Sequence, residues 1–94
     1  MVKVIEITED ERKLKDLTER IFGVAKEMFS GSYCKQVSDR AIYLGGAELY
    51  VFDFNSVCIE VSHHSSYERA MNLGERVEKD FSKEEINVTL RKKY

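Results

Sequence analysis

The sequence predicts an α+β domain in which two amphipathic helices cover one face of a β-sheet. Three observations lead to this class. Apolar residues recur at helical spacing in two segments, and short β-branched runs with strand character lie between and around them. Clusters of Gly, Ser, Asp and Asn separate these runs. The 94 residues fit one domain, residues 1–94, whose small core needs either dense packing or a partner.

The first two predicted elements are a strand over residues 2–7 and a helix over residues 9–29. The strand, VKVIEI, is short and β-branched. Thr8 and Glu11 have the spacing of a capping box, which marks the start of a helix. Residues three and four apart then form one apolar stripe along that helix, namely Leu14, Leu17, Ile21, Val24 and Met28.

The first helix carries a second apolar flank beside that stripe. Phe22 and Phe29 lie one above the other, about 100° around the helix from the stripe, and Ala25 lies between them. A wide buried face would produce this pattern, and so would a contact with a second subunit. Both interpretations remain open from the sequence.

The middle of the chain predicts a meander of strands. Residues 33–44 form a hairpin that turns near Ser38 and Asp39, and the Gly45–Gly46 pair permits a tight turn with positive φ. Two further strands follow, over residues 47–54 and 56–63, with a turn near Phe54 and Asn55.

The last third of the chain predicts a helix and a final strand. Ser65 and Glu68 form a second capping box, and the helix runs over residues 66–81. Gly74 lies on its inward face, where the missing side chain lets the helix approach the sheet closely. Residues 85–90, EINVTL, alternate apolar and polar side chains as a half-buried strand does.

The order of these elements resembles a common plan. When the 33–44 hairpin is left out, the order is βαββαβ, as in ferredoxin-like domains. That resemblance implies an antiparallel sheet with both helices on one face and the hairpin as an addition. It implies no function, because such folds carry many functions.

Strand periodicity predicts which side chains lie on the sheet face opposite the helices. Tyr50, Phe52 and Phe54 give that face an aromatic end, and Glu6 and Glu60 give it a carboxylate centre. The aromatic end could be covered by the hairpin or by a second subunit, and either is favoured over stacking on RNA bases. The candidate interface residues are therefore Phe22, Phe29, Tyr50, Phe52 and Phe54.

RNA binding is the alternative function that this face suggests. The basic residues available for it are Lys35, Arg40, Arg91, Lys92 and Lys93. The two central carboxylates would repel a phosphate chain, and the formal net charge of −2 argues against indiscriminate binding to nucleic acid.

The stretch EVSHHSSYERA, residues 60–70, joins a strand to a helix. Strand periodicity directs His63 to the rim of the core and His64 to the other face, so the two rings should diverge. The serines are explained by helix capping. The same residues, His63, His64, Ser65 and Ser66, could alternatively hold an anion at the helix N-terminus.

Catalysis has one candidate pair, Cys58 and His64, and no clear group to orient the base. No set of residues has the spacing of a metal or cofactor site. The two cysteines indicate free thiols in a cytoplasmic protein, and no apolar run has the length of a membrane span.

The sequence thus predicts a small, non-catalytic binding domain. We expect it to self-associate as a homodimer through its sheet or helix surface, or to bind another protein. An RNA-binding or ribosome-associated module is the first alternative, and a small enzyme that uses Cys58 and His64 is the second.

Overall fold

A computed structural model describes residues 9–29 and 34–94 of the chain. The predicted strand over residues 2–7, with Glu6, and the Thr8 cap lie outside the described residues. The regular elements are α1 (Glu9–Met28), β1 (Lys35–Ser38), β2 (Ala41–Tyr43), β3 (Ala47–Asp53), β4 (Ser56–Val61), α2 (Tyr67–Asp80) and β5 (Asn87–Lys92). Short 3-10 turns, His64–Ser66 and Ser82–Glu84, flank α2.

The strands form one five-stranded sheet in the order β1-β2-β3-β4-β5. The first four strands are an antiparallel meander. The predicted hairpin is confirmed as β1 and β2, but it extends the sheet beside β3 rather than folding over it. One of the two predicted covers for the aromatic face is therefore excluded.

The α+β class is confirmed, but the expectation of an antiparallel sheet is wrong at β5. This strand pairs with β4 in parallel, with Val57 opposite Val88 and Ile59 opposite Leu90. A ferredoxin-like sheet places another strand between these two, so that order is not confirmed either. Because α2 returns the chain to the starting end of β4, two directly neighbouring strands joined by it must run parallel.

The helix α1 is buried on a wide face. Ile21 and Ala25 are inaccessible, and Phe29, just after the helix, is 1% exposed in the core. Phe22 is partly buried, with the Lys26 ammonium 5.2 Å from its ring centroid. Part of the second apolar flank is therefore core, which supports the wide-face interpretation of the sequence pattern.

The helix α2 lies close on the sheet, as its glycine predicts. A Cβ added at Gly74 would lie 3.2 Å from Cγ1 of Val88 on β5, a closer approach than most Cβ atoms make in proteins. Ala70, Leu73 and Val77 fill the same inner face and are fully buried. A larger residue at position 74 would push the helix away from β5.

Among the described strands, the two outer ones carry features that discourage further pairing. At one edge, β1 has only four residues and an irregular register, and the Gln36 side-chain amide donates to the Ser38 carbonyl at 3.1 Å. At the other edge, the Val88 N–H donates to the Glu78 carboxylate at 3.2 Å.

No helix in the described ranges has the length and apolar character needed to cross a bilayer.

Candidate functional site

The sheet face that points away from the helices is the candidate site, and we call it the open face. Register aligns its side chains in rows across the strands. One row is Tyr43, Glu48, Glu60 and Arg91, and the next is Ala41, Tyr50, Cys58 and Thr89. The face is therefore aromatic and charged, while the alternate residues of the same strands form the core.

Tyr50 and Phe52 form an aromatic pair at the centre of the open face. They lie on β3, the third of the five described strands, with ring centroids 6.3 Å apart and ring planes 21° apart. Phe52 is 58% exposed, which is unusual for a side chain of this size. Strand periodicity placed both residues on this face correctly.

Phe54 is not part of that aromatic pair, contrary to the prediction. The strand β3 ends at Asp53 after a shift in register, and Phe54 lies in the turn that follows. Its ring lines a cleft together with residues of α1. Strand periodicity fails here because it applies only while the chain stays extended.

Two carboxylates lie directly opposite each other on the open face. Glu48 on β3 faces Glu60 on β4, an arrangement in which like charges destabilise a sheet. The Tyr50 hydroxyl donates a hydrogen bond to Glu48. Glu60 forms two ion pairs, one at each carboxylate oxygen. Its Oε1 lies 3.4 Å from Nη1 of Arg91, and its Oε2 lies 2.9 Å from Nζ of Lys93. Each carboxylate therefore has its own compensating group.

The hydrogen bond to Glu48 alters the acidity of Tyr50. That bond is the main cause, followed by burial and the nearby charges, and together they raise the pKa of Tyr50 to about 12. The neutral phenol is favoured because a phenolate would face a carboxylate. The sequence interpretation did not single out Glu48, although it has the same strand periodicity as Tyr50.

The basic residues proposed for RNA binding do not converge on one patch. Lys35 and Arg91 lie on opposite edge strands, about 19 Å apart if four strand spacings of about 4.8 Å separate them. Arg91 and Lys93 are engaged by Glu60. The Lys92 ammonium lies 4.7 Å from the Tyr67 ring centroid, and Arg40 is in the β1–β2 turn.

The two histidines lie together, so the predicted divergence of their rings is wrong. Their ring centroids are 4.7 Å apart with an angle of 22° between planes, and His64 also meets Tyr94 edge-on at 6.2 Å. Both are exposed, and His63 is therefore not at the rim of the core. The reason is that the chain leaves the extended conformation at His64, where a 3-10 turn begins.

The neighbouring serines are both engaged, Ser65 locally and Ser66 with a distant turn, but not as predicted. His63 Nδ1 accepts from the Ser65 N–H at 3.3 Å and lies 2.6 Å from the Ser65 hydroxyl. Ser66 precedes α2 but makes no side-chain capping bond; its hydroxyl donates to the Gly45 carbonyl at 3.1 Å. The predicted Ser65–Glu68 capping box is therefore wrong. The anion site stays a prediction that these contacts do not test.

Cys58 lies on the open face but is only 4% exposed. Burial raises the pKa of its thiol, Glu60 raises it further, and Arg91 partly opposes both. A protonated thiol is a poor nucleophile. Across the described ranges no hydrogen bond joins Cys58 to His64, and no three His, Cys, Asp or Glu residues form a potential metal site.

Comparison of the chain with protein-family models, with curated proteins and with solved structures gives no match.

Proposed function

We propose that this chain is a small, non-catalytic interaction domain that associates with a second copy of itself through the open face. The observation that carries the proposal is the aromatic pair at the centre of that face, in which Phe52 is exposed and Tyr50 is half-buried beside it. Central aromatic residues contribute most of the binding energy in many protein interfaces. Covering the exposed ring of Phe52 would remove apolar surface from water, which lowers the free energy of association.

The charges of the open face favour a protein partner over solvent exposure alone. Covering a carboxylate is costly unless it is paired and hydrogen-bonded. Glu60 has two cationic partners and Glu48 has the Tyr50 hydroxyl, so a partner would bury few uncompensated charges. A second copy can therefore cover this face with its own aromatic pair, while the carboxylates of each copy keep their partners.

Other surfaces of the described chain are less suited to self-association. On both outer strands of the described sheet, side chains already bond backbone groups that another strand would need. These groups are the Ser38 carbonyl on β1 and the Val88 N–H on β5. On α1, Phe29 is used by the core, which leaves Phe22 with a much smaller apolar contact. These features favour a face-to-face contact between sheets.

RNA binding gains less support than self-association. The aromatic pair is close to Glu48, and the nearest cations are held by Glu60. A base-stacking surface usually combines aromatic side chains with free cations along the strand of nucleic acid. A cytoplasmic location is part of our proposal, and the free thiols of Cys34 and Cys58 support it.

The test is the oligomeric mass as a function of concentration, measured by light scattering after gel filtration. We expect the wild-type chain to reach the mass of a dimer by high micromolar concentration, and Phe52→Glu to remain a monomer. Phe52 is well exposed, so the charge should not unfold the chain, which circular dichroism would verify. Met71→Glu is the matched control, because Met71 is 39% exposed on α2, which covers the opposite face.

Two outcomes would contradict this proposal. A wild-type chain that keeps a monomer mass at high micromolar concentration does not self-associate. If Phe52→Glu and Met71→Glu weaken the dimer equally, the contact is not specific to the open face.

A further inference from the structure

A separate cleft lies on the helix side of the sheet, between α1, the turn after β3 and the 3-10 turn Ser82–Glu84. Its volume is about 530 Å³, within the range of small-molecule sites. The side chains on α1 that line it recur at helical spacing, as Arg12, Lys13, Asp16, Leu17 and Arg20. We call it the α1 cleft.

The α1 cleft has an apolar part made by Leu17 and Phe54. Leu17 is 5% exposed and belongs to the core, whereas Phe54 is 39% exposed in its turn. The ring of Phe54 is therefore apolar surface that the described chain leaves accessible at the cleft. Such a surface suits a small aromatic or branched aliphatic group.

The charges around the cleft are unevenly distributed. At one end, the Arg20 guanidinium pairs with Glu84 at 3.0 Å and lies 4.8 Å from the Phe81 ring centroid, so its charge is already used. At the other end, Arg12 makes no hydrogen bond or ion pair with another described residue, and Lys13 has a well-exposed contact with Glu9 at 3.7 Å. Asp16 lies between the two ends on the same helix.

We propose that the α1 cleft binds a small carboxylate with an apolar body. The body packs on Phe54 and Leu17, and the carboxylate binds Arg12 with support from Lys13. An arginine can hold a carboxylate through two parallel N–H donors. Asp16 is four residues from both Arg12 and Arg20 and opposes an anion at either end, so Arg12 is favoured because Arg20 is already paired with Glu84.

The test is a titration of the ¹⁵N-labelled chain with phenylacetate, followed by amide chemical shifts. We expect saturable shifts at the turn containing Phe54 and in the second turn of α1. Phenylacetamide, which has the same shape without the charge, and acetate, which lacks the ring, should both bind more weakly. The titration should give the same result in Phe52→Glu, because the cleft and the open face are on opposite sides of the sheet.

Three variants on α1 test the role of charge. Arg12→Gln should weaken phenylacetate binding about fivefold, the factor expected for one partly exposed ion pair. Lys15→Gln removes the same charge from the same helix, but Lys15 does not line this cleft. This variant should therefore bind phenylacetate with the affinity of the wild type. Asp16→Asn should increase the affinity. Equal shifts with phenylacetamide, or equal losses in Arg12→Gln and Lys15→Gln, would overturn the proposal.

Discussion

The hydroxyl of Tyr50 donates a hydrogen bond to the carboxylate of Glu48, two residues earlier on β3. This contact lies beside the cross-strand pair of Glu48 and Glu60, where two negative charges face each other. It compensates one carboxylate while Arg91 and Lys93 compensate the other. The polar side chains of the open face therefore form a locally satisfied set around the half-buried Tyr50 and the exposed Phe52.

The first prediction concerns the ionisation of Tyr50. Its pKa is raised from 10.0 to about 12, mainly by the hydrogen bond to Glu48. Between these values the unfolded chain has lost the phenol proton and the folded chain keeps it. The free energy of unfolding should therefore fall as pH rises through this window. Tyrosinate absorbance, taken as the difference between wild type and Tyr50→Phe, should give the folded pKa.

A matched variant identifies the cause of that shift. Glu48→Gln keeps an oxygen acceptor near the phenol but removes the charge, so the pKa of Tyr50 should move back toward 10.0. A Tyr50 that ionises at its ordinary pKa in the wild-type chain would contradict the geometry of this pair.

The second prediction concerns the reactivity of the two thiols. Cys58 is 4% exposed and burial raises its pKa, whereas Cys34 is partly exposed although burial raises its pKa too. A disulfide reagent such as Ellman's should label Cys34 first and Cys58 only slowly, until urea unfolds the chain. The single variants Cys34→Ser and Cys58→Ser assign the two phases. Fast labelling of Cys58 in the folded chain would favour the enzymatic alternative.

The third prediction concerns the Gly45–Gly46 turn, whose Gly45 carbonyl accepts a hydrogen bond from the Ser66 hydroxyl. Gly46 has φ of 87°, and an added Cβ would come within 2.4 Å of the Ser66 hydroxyl. Gly46→Ala should therefore lose about 1–3 kcal/mol of stability from the backbone conformation alone, with a further loss from the clash. Urea denaturation measures the change.

Two comparisons separate the clash from the backbone term at Gly46. In the double variant Gly46→Ala/Ser66→Ala, the losses should be less than additive, because the clashing hydroxyl is absent. Gly23→Ala on α1 is the control, since its added Cβ would meet nothing within 4 Å and should cost no stability. Additive losses at positions 46 and 66 would show that the two sites are not in contact.

The fourth prediction concerns the RNA-binding alternative. Glu60→Gln would release Arg91 and Lys93 from their shared carboxylate. Fluorescence anisotropy with a labelled single-stranded RNA should then detect tighter binding than wild type, with a salt slope steeper by roughly 0.7 for each new phosphate contact. Glu19→Gln on α1 makes the same change in net charge away from the open face. Equal effects of the two variants would mean that only net charge matters.

Several features of this chain could be predicted from residues a few positions apart. Helical spacing together with the cap and turn signals at the ends predicted α1 and α2 to within one residue at each end. The period of two placed Tyr50, Phe52, Cys58 and Glu60 on the face opposite the core. These patterns are reliable because the backbone geometry of one helix or strand alone decides which side chains share a face.

Other features depended on how distant segments meet. The same βαββαβ order is compatible with different strand neighbours, and only the pairing of β4 with β5 decides between them. Helical spacing could not tell whether Phe29 packs in the core or against a partner, because that depends on which surface lies opposite α1. Phe54 and His64 departed from strand periodicity where a turn begins, and Ser66 found its acceptor 21 residues away at Gly45. The sequence by itself determined the elements and their apolar faces, because these follow from local periodicity. The tertiary structure decided strand order, turn geometry and the partners of the polar groups, because these depend on contacts between distant residues.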